Sequence, residues 1–122
     1  MPRVVHFEFS AEDPKRAVRF YRDVFGWTFA KWEGPLEYWL ITTGPDGEPG
    51  INGGVGRRTE PGEGTVNTVA VSDIDDALTR VTRGGGEVTQ PKHAIPGVGW
   101  QAYCRDPEGN VFGIHQADAT AR

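Results

Sequence analysis

From Val4 to Ser10 apolar and polar residues alternate, with Val5, Phe7 and Phe9 on one side and Val4, His6, Glu8 and Ser10 on the other. A period of two marks a strand with one polar face. Asp13-Pro14 then offers a helix N-cap with proline at the first helical position, and Ala17, Val18, Tyr21, Val24 and Phe25 recur at helical spacing up to Gly26. This predicts an amphipathic helix that the glycine stops. Three strands are expected next: Trp27 to Trp32, Glu37 to Thr42, and Gly50 to Val55. They are parted by Gly34-Pro35 and by the turn cluster Gly44-Pro45-Asp46-Gly47. Together these make one βαβββ unit.

Residues 56–64, with Arg57-Arg58, Pro61 and three glycines, read as a polar linker. The pattern then restarts. Val66 to Val71 is strand-like, Asp73 caps a helix through Leu78 and Val81, and Gly84-Gly85-Gly86 ends it. Further strands are expected over Glu87 to Gln90, Gly99 to Arg105 and Asn110 to Gln116, the last two joined by an Asp106-Pro107-Glu108-Gly109 turn. Sliding the second half onto the first by 60 residues sets Asp73 on Asp13, Ala77 on Ala17 and Leu78 on Val18. That is the mark of a diverged tandem duplication. Two unrelated α+β halves that share a common kind of cap are the plainer alternative. The expected organisation is a single domain over residues 1–122, with module one at 3–55, the linker at 56–64 and module two at 65–117.

Composition narrows the functional classes. A chain of 122 residues should have a radius of gyration of about 14 Å and bury roughly two thirds of its unfolded surface, enough for an ordinary core. Seventeen acidic against 13 basic residues give a net charge of −4, and the longest basic cluster is Arg57-Arg58. Such a surface does not track phosphates, so nucleic acid is not an expected partner. The single cysteine, Cys104, cannot form an internal disulfide, and neither a signal-peptide core nor a membrane span is legible. A cytoplasmic setting is expected, without membrane association.

The order βαβββ-linker-βαβββ resembles the vicinal oxygen chelate superfamily of glyoxalases, bleomycin-resistance proteins and ring-cleaving dioxygenases. So do the segments Phe20-Tyr21-Arg22-Asp23-Val24-Phe25-Gly26-Trp27, Asp73-Ile74-Asp75-Asp76-Ala77-Leu78 and Asp106-Pro107-Glu108-Gly109-Asn110. Gly50-Ile51-Asn52-Gly53-Gly54-Val55 and Ala94-Ile95-Pro96-Gly97-Val98-Gly99-Trp100 are similar to small bacterial glyoxalase-like members. The resemblance implies an α+β fold in which paired modules form a curved sheet around a cavity suited to a small molecule, and a homodimer by analogy. Metal-using relatives place one ligand on the first and last strand of each module.

Those positions fall on His6, on Asn52 (or Gly53), on Val66 (or Asn67) and on Gly113. Only His6 is a good ligand. A tight transition-metal site normally takes three protein ligands, so no cofactor is expected; a divalent metal would require a rebuilt set of His6, Glu8 and His115. Without metal, Glu8 on the cup face of its strand is the candidate catalytic group, as a general base; the alternative is that it accepts hydrogen bonds from a buried partner and only shapes the cavity. Glycine-rich Gly53, Gly54 and Gly56 suit close backbone approach or a bulge better than a phosphate loop. Cys104 reads as packing, and His93 as a loop residue near the cavity mouth. Trp32, Tyr38, Trp39, Trp100 and Tyr103 are numerous enough that some could stack on a flat ligand. The expected ligand-binding set is His6, Glu8, Asn52, Trp39, Trp100 and His115. The leading expectation is a small-molecule binder; an enzyme of the lyase, isomerase or dioxygenase type is the alternative.

Overall fold

The computed structural model describes residues 2–59 and 64–122. Contacts group His6–Thr65 into one compact unit, and Val66–Arg122 with the N-terminal residues through Val5 into another. Each repeats the same βαβββ sequence.

In the first half, β1 (Arg3–Ala11) leads to α1 (Pro14–Phe25), then β2 (Thr28–Lys31), β3 (Tyr38–Thr42) and β4 (Asn52–Arg57). The helix begins where its sequence says it should: the Asp13 carboxylate accepts from Arg16 N–H at 3.2 Å. It ends at Gly26, which takes the left-handed conformation (φ 74°) and donates its N–H to the Arg22 carbonyl at 2.9 Å. The strands pair in the order β2-β3-β4-β1, with β1 parallel to β4 and the other pairs antiparallel. The helix face meets one side of this sheet: Val18, Ile41 and Val55 are buried, with Phe7, Phe9, Ala17, Trp27, Phe29 and Trp39 packed around them. The β1 alternation therefore holds, with Phe7 and Phe9 inward. β4 also takes Gly56 and Arg57 from the expected linker. Four other linker residues, Glu60, Pro61, Gly62 and Glu63, lie outside the described residues.

The second half runs β5 (Val66–Ala70), α2 (Ile74–Arg83), β6 (Glu87–Ile95), β7 (Gly99–Arg105) and β8 (Val111–Ala117). Asp73 caps α2 through Asp76 N–H at 3.1 Å. The pairing is β5-β8-β7-β6, again with one parallel pair, β5 with β8. Ile74, Ala102, Cys104 and Ile114 form the core under Leu78, Val81, Val88, Trp100 and Phe112. Two halves with the same strand order and the same single parallel pair are what a tandem duplication leaves.

One element is longer than expected. β6 runs past Gln90 to Ile95, so the loop anticipated over Pro91 to Gly99 shrinks to a turn, and His93 sits in a strand opposite Gln101. Proline is tolerated because β6 ends the pairing order, where a missing N–H removes no ladder bond, and the register shifts between Val88 and His93 absorb the distortion. Cys104 is fully buried and burial raises its thiol pKa, which suits packing rather than reactivity. Among the described residues, no helix is long and apolar enough to cross a membrane.

Candidate functional site

In a strand, consecutive side chains face opposite sides. With Phe7, Trp39, Ile41 and Val55 turned toward α1, the other side of that sheet carries His6 and Glu8 from β1, Tyr38 and Leu40 from β3, and Asn52, Gly54 and Gly56 from β4. The β1–β4 register sets His6 beside Asn52 and Glu8 beside Gly54.

Tyr38 joins these residues. Its hydroxyl donates to Glu8 Oε2 at 3.3 Å and lies 3.4 Å from His6 Nε2. A phenol has one proton, so with that proton directed at Glu8 the oxygen accepts from His6, and Nε2 is the protonated nitrogen of the neutral ring. The result is a polarised row, His6 N–H to Tyr38 O–H to the Glu8 carboxylate. Burial, reinforced by the charge of Glu8 and their hydrogen bond, pushes the Tyr38 pKa well above the ordinary phenol value, so it stays a donor. Burial also lowers the pKa of His6, with the Glu8 charge opposing in part. The glycines make the arrangement possible: a Cβ at Gly54 would collide with the Tyr38 hydroxyl and ring, and one at Gly56 would come within 3.3 Å of that ring.

The sequence-predicted residues are therefore only partly brought together. His6 and Glu8 share the row, and Asn52 stands next to His6 with its Oδ1 already accepting from Thr43 N–H at 2.9 Å. Trp39 lies on the opposite face, in the core beneath α1. Trp100 likewise packs against the second core, with its indole N–H donating to Asp118 at 3.1 Å and Lys92 Nζ over its ring at 4.8 Å. Neither tryptophan shares a face with the polar residues of its own half; Tyr38 and, in the second half, Gln101 and Tyr103 do so instead. His115 is hydrogen-bonded through Nδ1 to Gln101 Oε1 at 2.9 Å. The glycines of β4 were the sequence signal for Tyr38, because they leave room on the face of Glu8.

The donor set does not suit a tightly held metal. Val66 and Gly113 offer no donor side chain, and the Asn52 oxygen is engaged by the β3–β4 connection. Among the described residues, no group of three or more His, Cys, Asp or Glu side chains is arranged to hold an ion. A concavity of about 420 Å³ lies elsewhere, at the start of α1, lined by Glu12, Asp13, Arg16, Phe20, Tyr21 and Arg58. It includes none of the residues expected to bind ligand.

Comparison with known proteins places this geometry in context. The family model described as Glyoxalase/Bleomycin resistance protein/Dioxygenase superfamily matches residues 3–114. CFP32 of Mycobacterium bovis and of Mycobacterium tuberculosis, which carries a provisional glyoxylase name, is 29% identical over 112 residues. That match covers 87% of this chain but 42% of CFP32, so the chain spans less than half the length of the curated relatives it matches. Methylmalonyl-CoA epimerase of Streptomyces coelicolor, solved with 2-nitronate-propionyl-CoA, superposes with a TM-score of 0.74 at 16% identity, covering 98% of this chain and 97% of that one. A hypothetical protein from Bacillus halodurans matches with a TM-score of 0.73 at 12% identity, over 99% and 98% of the two chains. At these identities the structural likeness establishes the fold.

Proposed function

Because the chain belongs to the Glyoxalase/Bleomycin resistance protein/Dioxygenase superfamily, we propose that it binds a small organic molecule on the sheet face that carries His6, Glu8 and Tyr38. The observation behind this reading is the Tyr38 hydroxyl held between His6 and Glu8 over two glycines. A row of oriented donors and acceptors beside the half-exposed Leu40 suits an amphiphilic ligand with one polar group. Structural relatives support the ligand class: several epimerases of this fold were solved in complex with acyl-CoA compounds. The reading is metal-free, in a cytoplasmic homodimer, the last two on family analogy alone.

A thermal-shift screen against acyl-CoA thioesters, dicarbonyl-thiol adducts and catechols is expected to give a stabilising ligand. Tyr38→Phe should then weaken its affinity about 3- to 10-fold, the worth of one hydrogen bond. Equal affinities would refute the role given to Tyr38. Elemental analysis of the purified protein should find substoichiometric transition metal, and one tightly held ion per chain would overturn the metal-free reading.

The hydrogen bond from Tyr38 to Glu8 favours a second reading, in which Glu8 is a general base toward a carbon acid next to a carbonyl. Glu8→Gln should then abolish turnover of the compound found by the screen while sparing its binding. Unchanged turnover would leave Glu8 a structural acceptor.

A further inference from the structure

The two helices are one element built twice, which makes each a control for the other. Setting the second half on the first by 60 residues aligns Lys15 and Arg16 with Asp75 and Asp76, Arg19 with Thr79, and Phe20 with Arg80. α2 follows the ordinary rules for a surface helix. Its first turn holds Asp75 and Asp76, where the positive end of the helix dipole favours carboxylates. Both are paired, Asp76 with Arg80 at 2.9 Å and Asp75 with Lys92 at 3.2 Å. α1 breaks these rules at the same positions. No acid stands in its first turn, and Lys15 and Arg16 set positive charge against the positive end of the dipole. Among the described residues, Lys15, Arg16 and Arg19 enter no ion pair. Phe20 and Val24 are more than half exposed. The helix needs none of this for its own stability, as α2 demonstrates.

These cations are scattered in the sequence, and the helix gathers them. Lys15, Arg19 and Arg22 fall on one flank of the solvent face, Phe20 and Val24 on the other, with Arg16 between. A concavity borders each flank. One of about 370 Å³ is lined by Lys15, Val18, Arg19, Arg22, Phe29 and Trp39. The one of about 420 Å³ described above includes Arg16 and Phe20. Within α1 four cations stand against a single carboxylate, Asp23, although the chain as a whole is at −4. α1 packs on the side of its sheet opposite to His6, Glu8 and Tyr38, so this face is separate from the proposed ligand side.

We infer that the exposed face of α1 docks a partner protein through an acidic segment that also presents a bulky apolar side chain. Carboxylates about one helical turn apart would meet Lys15 and Arg19, and the apolar side chain would cover Phe20 and Val24. Charge complementarity selects this occupant. A second copy related by a two-fold axis would set the same cations against their own counterparts. An anionic membrane would gain little from so few exposed apolar side chains, and the overall charge of −4 opposes its approach.

The test uses the intact chain and a fluorescein-labelled peptide of Glu-Glu-Leu repeats, with two counterparts, one carrying glutamine for glutamate and one serine for leucine. Fluorescence anisotropy should report saturable binding that weakens as salt rises, and each counterpart should bind about 10-fold more weakly. Giving α1 the acids of α2, Lys15→Asp with Arg16→Asp, should lower the affinity about 10-fold while holding or raising the thermal midpoint, so that lost binding is not lost folding. Phe20→Ser should lower it about 3- to 10-fold. Arg83→Ser, which removes a cation from α2, should leave it unchanged. The inference fails if the double variant or the glutamine peptide binds like its parent. It fails equally if the glutamate peptide does not bind, and binding of phosphatidylserine vesicles in its place would reassign the face to a membrane. A dimer in sedimentation that Phe20→Ser converts to monomer would give the face to a second copy and overturn the inference as well.

Discussion

At the scale of single residues, the row around Tyr38 makes a statement about pH. Burial, against a smaller opposing effect of Glu8, lowers the folded-state pKa of His6 from 6.5. The unfolded chain therefore takes up a proton at a pH where the native imidazole is still neutral. The stability associated with neutral His6 is complete above 6.5, and it is lost as the pH falls from there through the lowered native value. Thermal melts of the parent and of His6→Gln across that window should show a shallower loss of midpoint in the variant. Parallel curves would mean that His6 titrates alike in both states. The same residues show what the sequence could and could not reveal. His6 and Glu8 were legible because β1 alternates cleanly. Tyr38 was harder to single out because Tyr38-Trp39-Leu40-Ile41 is apolar on both faces, so nothing local says which aromatic turns toward the core. Trp39 packs with Val18, Ile41 and Val55 in the core beneath the helix, which leaves Tyr38 for the other face. In β7, Gln101 and Tyr103 alternate with Trp100, Ala102 and Cys104, but both faces carry an aromatic ring, so alternation alone does not say which one the core covers.

At the scale of elements, caps and stops were the dependable signals. Asp13, Gly26 and Asp73 each do what their position in the sequence predicts, because a helix end leaves backbone groups that only a few residue types can satisfy. Strand ends were less legible. β6 continues through Pro91 because its place in the pairing order is a tertiary fact that the residues of β6 do not encode. The link between α2 and its sheet offers a direct test. Ile74 is fully buried in the second core, and its backbone N–H donates to the Gln116 side chain at 2.9 Å. Ile74→Ala should cost about 2–5 kcal/mol in denaturant unfolding. A loss below about 1 kcal/mol would show that α2 is not anchored there.

At the scale of the whole molecule, the duplicated βαβββ pattern is the feature the sequence carried furthest. Cap, helix face and strand order recur in both halves, and the family model spans 3–114. The chemistry did not repeat with the fold. Glu8 pairs with Gly54 in one half, while Thr68 pairs with Gly113 in the other, so equivalent strands hold a carboxylate in one place and a hydroxyl in the other. Duplication preserves what packing needs and leaves the remaining face free to diverge, which is why the scaffold was readable and the ligand was not.

The proline within β6 has a consequence for how the protein behaves in a crowded solution. An outermost strand is an invitation to a foreign chain looking for hydrogen-bond partners, and such unsolicited pairing is how sheets grow into insoluble fibres. At Pro91 the invitation is withdrawn: a visiting strand finds no amide hydrogen there, and the charged Lys92 stands next to the gap. Exchanging Pro91 for valine would restore an unbroken template, and with it a route to aggregation that the native chain closes at one ring.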